Sequence, residues 1–581
     1  MNLSEILNKV DENPTTANYA AAGRALKEVS AGLPEFRLGV LVNHTFDIGV
    51  PLTVECARRG LRLSLYMSGY DQYRQELLDP ASQLDAFGPD AVLLALDLST
   101  ALPDMQIEPW LEGLRVLLES YRQRSAAPVF LCTFAPPALH MDGLLSPAGG
   151  QSVAETVMAL NSGLRRVAAG LPQVLIVDIA ELSLANGLRD WQDTRMWLLA
   201  RSGISPKKYP AVAARIARHL RALRTPAAKC LVLDLDNTVW GGIVGEAGAG
   251  GIHCTGESYP GNAFASFQQG VLALRRRGIL LAVASKNDRA NVDEAFATRA
   301  MPLRPEHITE WEVHWEPKSI SLQRIAARMN IGLDSLVFLD DNPAEVEQVR
   351  QALPMVRAYR MPPRPEEYAA FLASLEDFDQ LSISSEDSRR AEMYELRRKS
   401  QAMAESAVDM DSFLRSLGTV VTIEPSGPAN FERIVQLIHK TNQFNLTTRR
   451  HDAAQLRERI ANGSELWGYR ARDVHGDHGL IAVALLDVDG SRGVVDTFLM
   501  SCRVIGRSIE TAVLHHLEQR AIARGCQTME GEWIATPKSG MCRDFYRRHG
   551  YEAVDENEAG AVWRKPLDSP LARPEWVALE G

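Results

Sequence analysis

Leu231-Val-Leu-Asp-Leu-Asp-Asn-Thr-Val-Trp-Gly-Gly242 starts as an apolar run and ends in two acids and a turn. Continuous burial of Leu231, Val232 and Leu233 suits a parallel strand covered on both faces. Asp234 and Asp236 then fall at its C-terminal end, where open α/β sheets place their chemistry. Two neighbouring acids repel each other, so burying both requires a bound cation or a shared proton. A strand end with solvated acids is the ordinary alternative for one such pair taken alone.

Three more stretches form a set with it. Gly278-Ile-Leu-Leu-Ala-Val-Ala-Ser-Lys-Asn-Asp288 is a second apolar strand ending in Ser285 and Asn287, small donors suited to a phosphate oxygen. Glu316-Pro-Lys-Ser319 opens a helix with Ile320, Ile325 and Met329 at helical spacing, which places Lys318 in the first turn. A cation there opposes the helix dipole, so a negative ligand is expected as the reason for it. Leu336-Val-Phe-Leu-Asp-Asp-Asn-Pro343 is a further strand, ending in Asp340 and Asp341 before a helix-starting proline.

In this order and spacing the four stretches resemble the phosphatase motifs of the haloacid dehalogenase superfamily. The resemblance implies that Asp234 is the nucleophile at phosphorus and Asp236 the general acid and base. It implies that Ser285 and Lys318 hold phosphoryl oxygens, with Asn287 beside them. Mg²⁺ would be bound by Asp234, the backbone carbonyl of Asp236 and Asp340, with Asp341 reaching the metal through water.

The 581 residues call for several domains, and a 46% hydrophobic content supports full cores. A net charge of −10 and a pI near 5.8 argue against nucleic-acid binding by the chain as a whole. No apolar run reaches membrane-spanning length, and Met1-Asn-Leu-Ser-Glu5 lacks a signal-peptide pattern, so a cytoplasmic protein is expected. The seven cysteines have neither paired spacing nor a CxxC motif, and reduced thiols follow.

Before the acid stretch, strand-like runs at Arg37–Val42, Leu61–Tyr66, Asp90–Leu96, Pro128–Cys132 and Val174–Asp178 alternate with helical ones, which predicts a doubly wound parallel sheet. This region resembles the SGNH hydrolases, except that Asn43-His44-Thr45 stands where those carry their serine nucleophile. Thr45 has no recognisable base, so a docking or scaffold role is expected for residues 1–225, with His44 a core or rim histidine. Phosphatase-like sequence fills 226–365, with short insertions and no large cap. Its open site calls for a macromolecular substrate or a neighbouring domain as lid. Residues 366–415 read as a charged helical linker.

Residues 416–581 form a third α/β unit, with strands at Leu417–Ile423, Leu480–Asp487 and Gly493–Met500 and a helix from Ile509 to Arg524. Ser501-Cys-Arg-Val-Ile-Gly-Arg-Ser508 precedes that helix, whose amides with Arg503 and Arg507 would form an anion site. The arrangement resembles the acyl-CoA-binding loop of GNAT acetyltransferases, departing at Ser508. The fold class is therefore α/β, in three domains: an SGNH-like doubly wound sheet, a haloacid-dehalogenase-type Rossmannoid core and a GNAT-like domain.

Trp240-Gly-Gly, the Ser-Lys-Asn-Asp and Asp-Asp-Asn-Pro motifs, Lys440-Thr-Asn-Gln-Phe-Asn-Leu-Thr-Thr448 and Met500-Ser-Cys-Arg-Val-Ile-Gly-Arg507 together resemble the FkbH-like glyceryltransferase/phosphatases of polyketide pathways, over residues 35–565. The resemblance implies dephosphorylation of D-1,3-bisphosphoglycerate and passage of a glyceryl group through an enzyme thiol to the phosphopantetheine of an acyl carrier protein. Many such relatives carry Cys where this chain has Ala284. Cys502, flanked by Arg503 and a helix start, is the first candidate for the thiol, and Cys254 the next. Asn442, Gln443, Asn445, Thr447 and Thr448 would bind the glyceryl hydroxyls or cap a helix. The alternatives are another three-carbon unit, such as lactoyl, or a module that only tethers a carrier protein.

Overall fold

The computed structural model describes residues 2–98, 106–136, 152–382, 410–441, 444–474, 476–501, 504–536 and 539–581. The described residues fall into two compact units, one within 2–227 with 379–382 and the other within 228–378 and 410–581.

In the first unit β1 (Glu35–Val42), β2 (Arg62–Met67), β3 (Ala91–Ala95), β4 (Val129–Cys132) and β5 (Val174–Val177) form a wholly parallel sheet in the order β2-β1-β3-β4-β5. The predicted strands are all present: β3 and β4 are wholly buried apolar runs that need coverage on both faces, while the edge strand β2 alternates Leu with Arg and Ser and is half-buried. The order reverses between β1 and β3. The loops leaving these two strands are tied by a reciprocal pair: Asn43 Nδ2 donates to the Asp97 carbonyl (2.8 Å), and the Asp97 amide donates to Asn43 Oδ1 (2.7 Å). Thr45 donates its hydroxyl to the Ala200 carbonyl (2.5 Å), a backbone tether rather than a nucleophile's setting.

The second unit begins with another parallel sheet. β6 (Cys230–Leu233), β7 (Leu280–Ser285), β8 (Glu310–Val313), β9 (Leu336–Asp340) and β10 (Arg357–Arg360) take the order β10-β9-β6-β7-β8. β6 is fully buried and central, with Leu233 in register with Leu339 on one side and Val283 on the other. Those registers bring the residues after β6, β7 and β9 to one sheet edge, at the reversal of strand order.

Residues 366–378 do not behave as the start of a linker. Tyr368, Leu372, Leu375 and Phe378 are buried in the core around Phe264, Phe267 and Val271, because their spacing lays one apolar face on the helix Gly261–Arg276. Asp377 fixes this strap by accepting from Tyr359 (2.7 Å) and Arg357 (3.1 Å). Of the expected linker, residues 383–409 lie outside the described residues.

The C-terminal part is a mixed sheet of β11 (Thr419–Pro425), β12 (Phe444–Asn445), β13 (Glu465–Asp473), β14 (Gly476–Asp489), β15 (Arg492–Met500), β16 (Thr528–Ile534), β17 (Glu552–Asn557), β18 (Gly560–Pro566) and β19 (Val577–Glu580). β15 and β16 pair in parallel only over Arg492–Val495 and Thr528–Gly531. Beyond that they separate, and Leu446 bridges the gap: its amide donates to the Phe498 carbonyl (3.0 Å), and its carbonyl accepts from the Ile534 amide (2.8 Å).

Gly531 lies beside this wedge, where an added Cβ would stand 2.0 Å from Cζ of the fully buried Tyr546. Gly531→Ala should therefore cost about 1–3 kcal/mol by overpacking. The expected readout is an earlier urea midpoint for the near-UV signal of the C-terminal aromatics; an unchanged midpoint would show that the Tyr546 ring can yield.

Candidate active site

Asp234 is the first residue beyond β6, and its amide donates to the Leu339 carbonyl, continuing the β6–β9 ladder (3.0 Å). That bond sets its carboxylate next to Asp340, the last residue of β9. One oxygen from each of Asp234, Asp340 and Asp341 lies within 4.8 Å of the others. Asp234 and Asp340 are 7% and 1% exposed. Burial on this scale disfavours ionisation. It pushes Asp234 up to about 6, with Asp340 adding to the rise and Lys318 opposing it. Asp340 and Asp341 are also raised, burial being the main cause.

Lys318 is the first residue of the helix Lys318–Met329 and is itself buried. Its ammonium hydrogen-bonds Asp234 Oδ1, donates to the Ala284 carbonyl (2.5 Å) and lies 3.3 Å from Asp340 Oδ2. Burial alone would lower its pKa, but Asp234 and Asp340 carry it above the ordinary lysine value. Two carboxylates of the chain itself thus supply negative charge at this helix start, where the sequence had pointed to a ligand. Lys318 contacts two of the three carboxylates, however, and beyond that ion pair Asp340 Oδ2 is buried without a hydrogen bond among the described residues. A set of hard oxygens with excess negative charge is what a divalent cation requires, so the residues fit a metal such as Mg²⁺.

The Asp236 side chain turns away from this trio. Oδ1 accepts from Trp240 Nε1 (2.8 Å) and the Val244 amide (3.1 Å), and Oδ2 accepts from Asn287 Nδ2 (2.9 Å). Asn287 spends its other amide proton on Ser285 Oγ (3.1 Å). It therefore positions the acid and the serine and leaves no amide proton for a phosphate oxygen. Ser285, the buried last residue of β7, stays at the sheet edge beside the acids.

Two positioning groups escaped the sequence reading. Asn237, at φ +52°, accepts the Gly242 amide on its side chain (2.9 Å), closing the turn after the acids. Tyr368 Oη donates to the Asn237 carbonyl (2.8 Å). The Asn-Thr-Val-Trp-Gly-Gly sequence carries a turn signal for the first; nothing local marks the Tyr368 hydroxyl as a partner of Asn237, 131 residues away.

The expected thiol and carrier residues are not gathered in this way. Cys502, Arg503, Asn442 and Gln443 lie outside the described residues. Arg507 is a correction: instead of facing an anion, its buried guanidinium pairs with Asp473 Oδ2 (2.5 Å), which also meets His478 (2.8 Å). The hairpin end of β13 and β14 thus supplies the negative charge that the loop arginine was expected to draw from a ligand. Thr447 likewise donates to the Asp496 carbonyl of β15 (2.9 Å), tying the loop to that strand, and Asn445 bonds the Thr441 carbonyl and the Thr448 amide of the loop's own backbone. Cys254 is fully buried in the core, and burial raises its thiol against the pull of Arg299.

No family model matches the chain, and no curated protein matches it. Among solved structures it is similar to the N-terminal part of the protein BF1531 from Bacteroides fragilis, which contains a phosphatase domain and was crystallised with Mg. The two are 26% identical with a TM-score of 0.55, over 63% of this chain and 99% of that one. Slighter likenesses, too weak to bear on function, are to the ribosomal-protein-S18-alanine N-acetyltransferase of Escherichia coli (11% identity, 25% of this chain and 94% of that one, TM-score 0.21) and a GNAT-family acetyltransferase of Staphylococcus aureus Mu50 (11%, 26% and 99%, 0.21). No helix among the described residues is long and apolar enough to cross a membrane.

Proposed function

We propose that this chain is a Mg²⁺-dependent phosphatase of the haloacid dehalogenase type joined to an acyl-transfer unit. The observation that carries the reading is the buried Asp234 carboxylate, held by Lys318 between Asp340 and Asp341, with Asp236 two residues away on separate hydrogen bonds. Asp234, Asp340, Asp341 and the Asp236 carbonyl would hold Mg²⁺, which neutralises charge on the phosphoryl oxygens when bound. The magnesium-bound phosphatase domain of the Bacteroides protein supports that assignment.

In the first step an Asp234 oxygen attacks phosphorus, the bond from phosphorus to the leaving oxygen breaks, and Asp236 gives that oxygen its proton. Oδ2 of Asp236 accepts one hydrogen bond, from Asn287, and keeps a lone pair for the proton. In the second step Asp236 takes a proton from water, which attacks the aspartyl phosphate and returns Asp234 and inorganic phosphate. Ser285 and Lys318 hold phosphoryl oxygens throughout, and Asn287 keeps Asp236 and Ser285 in register.

The long sequence resemblance supports a finer reading. The substrate is D-1,3-bisphosphoglycerate, and its glyceryl group moves through an enzyme thioester to the phosphopantetheine thiol of an acyl carrier protein in polyketide biosynthesis. An acyl phosphate is already activated, so a thiolate displaces phosphate at the carbonyl and the thioester passes to the carrier thiol. Cys502 remains the proposed thiol, since Cys254 is sealed in a core that keeps it protonated. Incubation with bisphosphoglycerate and Mg²⁺ should add a glyceryl mass to the wild type and to Cys254→Ala but not to Cys502→Ala. Glyceryl addition to Cys502→Ala would overturn the thiol assignment, and a lactoyl donor outperforming bisphosphoglycerate would replace the three-carbon unit.

A pH dependence also follows. The Asp234 carboxyl must lose its proton to hold a cation, so the Mg²⁺ concentration for half-maximal phosphate release should rise as pH falls through about 6. A half-saturation value that stays constant from pH 7.5 to 5.5 would contradict the placement of Asp234 at the metal.

A further inference from the structure

The first unit holds a cavity of about 60 Å³ at the C-terminal ends of β1, β3 and β4, at the point where strand order reverses. Open parallel sheets bind small ligands there. Its walls are largely aliphatic and aromatic, with His44 and Asp97 from the two tied loops, and Trp191 and Gln192 across from them in sequence.

Three features make this more than a packing gap. Trp191 is fully buried, and its indole N–H has no hydrogen-bond acceptor among the described residues, an expensive state for a strong donor. The wall contains no lysine or arginine, and burial lowers the pKa of His44 against the pull of Asp97, so the imidazole is neutral at pH 7. Gly203 has no room for a side chain: a Cβ would meet Asp97 Oδ2 at 2.6 Å and His44 Cδ2 at 3.6 Å, which records how closely these groups crowd the wall.

The missing partner is an acceptor, and the charge around it selects among acceptors. A carboxylate or phosphate would enter beside Asp97 with no cation to receive it. A cation brings no acceptor to Trp191. A space of this size takes roughly four to six heavy atoms. We propose that the cavity binds a small neutral carbonyl compound, an amide or ester with a short aliphatic chain, whose carbonyl oxygen accepts the Trp191 indole N–H. The first unit is then a ligand-binding domain as well as a scaffold, independent of the phosphatase chemistry.

Saturation-transfer NMR on the full chain tests this with butyramide, sodium butyrate and butylamine as probes at millimolar concentration. Butyramide should receive saturation from the wild type, and the two charged probes should not. Trp191→Phe keeps the ring and removes the donor, and should weaken the butyramide signal at least about fivefold. Ala135→Leu fills the cavity from another wall and should abolish the signal, so the claim stays testable if the tryptophan variant fails to fold. Butyramide saturation that survives both substitutions, or butyrate saturation equal to that of butyramide, would overturn the proposal.

Discussion

The Asp234→Asn variant should release no phosphate above background, a loss on the order of 10⁴-fold or more, because an amide cannot form the aspartyl phosphate. The exchange is nearly isosteric, and the amide oxygen can still accept from Lys318, so the loss should not come from misfolding. In the metal-free wild type Asp234 is raised from its ordinary range to about 6. The stability tied to its bound proton is full below that ordinary range and is lost as pH rises through about 6. The neutral variant lacks this loss and should unfold no earlier than the wild type at pH 7.5. A stable variant that still turns over would remove Asp234 from the chemistry.

Lys318→Met should have a double effect. Removing one preorganised cation from the phosphoryl oxygens should slow phosphate release about 10²–10³-fold. It also strips from Asp234 and Asp340 the one ammonium that pairs with them among the described residues. Removal of one partner from a buried ionic group typically costs about 3–5 kcal/mol, part of which is avoided when an acid takes up a proton. If the three acids form a cation site, added Mg²⁺ should recover most of that stability but little of the rate. Thermal unfolding with and without Mg²⁺ reads the first, and a steady-state phosphate assay reads the second. A melting temperature that Mg²⁺ leaves untouched in the variant would show that these acids do not form a metal site.

Most of the sheet around Asp234 was legible in the sequence, for a physical reason. Strands covered on both faces must be continuous apolar runs, so Leu231–Leu233, Leu280–Ala284 and Leu336–Leu339 mark themselves. Parallel register then fixes which residues share an edge, and Asp234, Ser285 and Asp340 follow. The errors concern where side chains spend their hydrogen bonds. Asn287 reads as a phosphate donor but is committed to Asp236 and Ser285, and Arg507 reads as an anion ligand but is committed to Asp473. Asp236 lies 51 residues from Asn287 and Asp473 lies 34 from Arg507, and only folding brings them near. Tyr368 falls in the stretch that reads as a charged linker, and the apolar face of its short helix is the local signal of its burial. The indole of Trp191 could not be singled out at all, since lack of a partner is a property of the packed structure.

The measurement that bears most directly on the account is chemical trapping of the phosphoenzyme. Wild-type protein turning over bisphosphoglycerate labelled with ³²P on the distal ester, in the presence of Mg²⁺, is quenched in acid, digested and mapped. The account predicts a hydroxylamine-labile label on the peptide containing Asp234, absent when EDTA replaces Mg²⁺ and absent from the Asp234→Asn variant. Label on a different residue, or rapid phosphate release with no labelled peptide at any quench time, would contradict it.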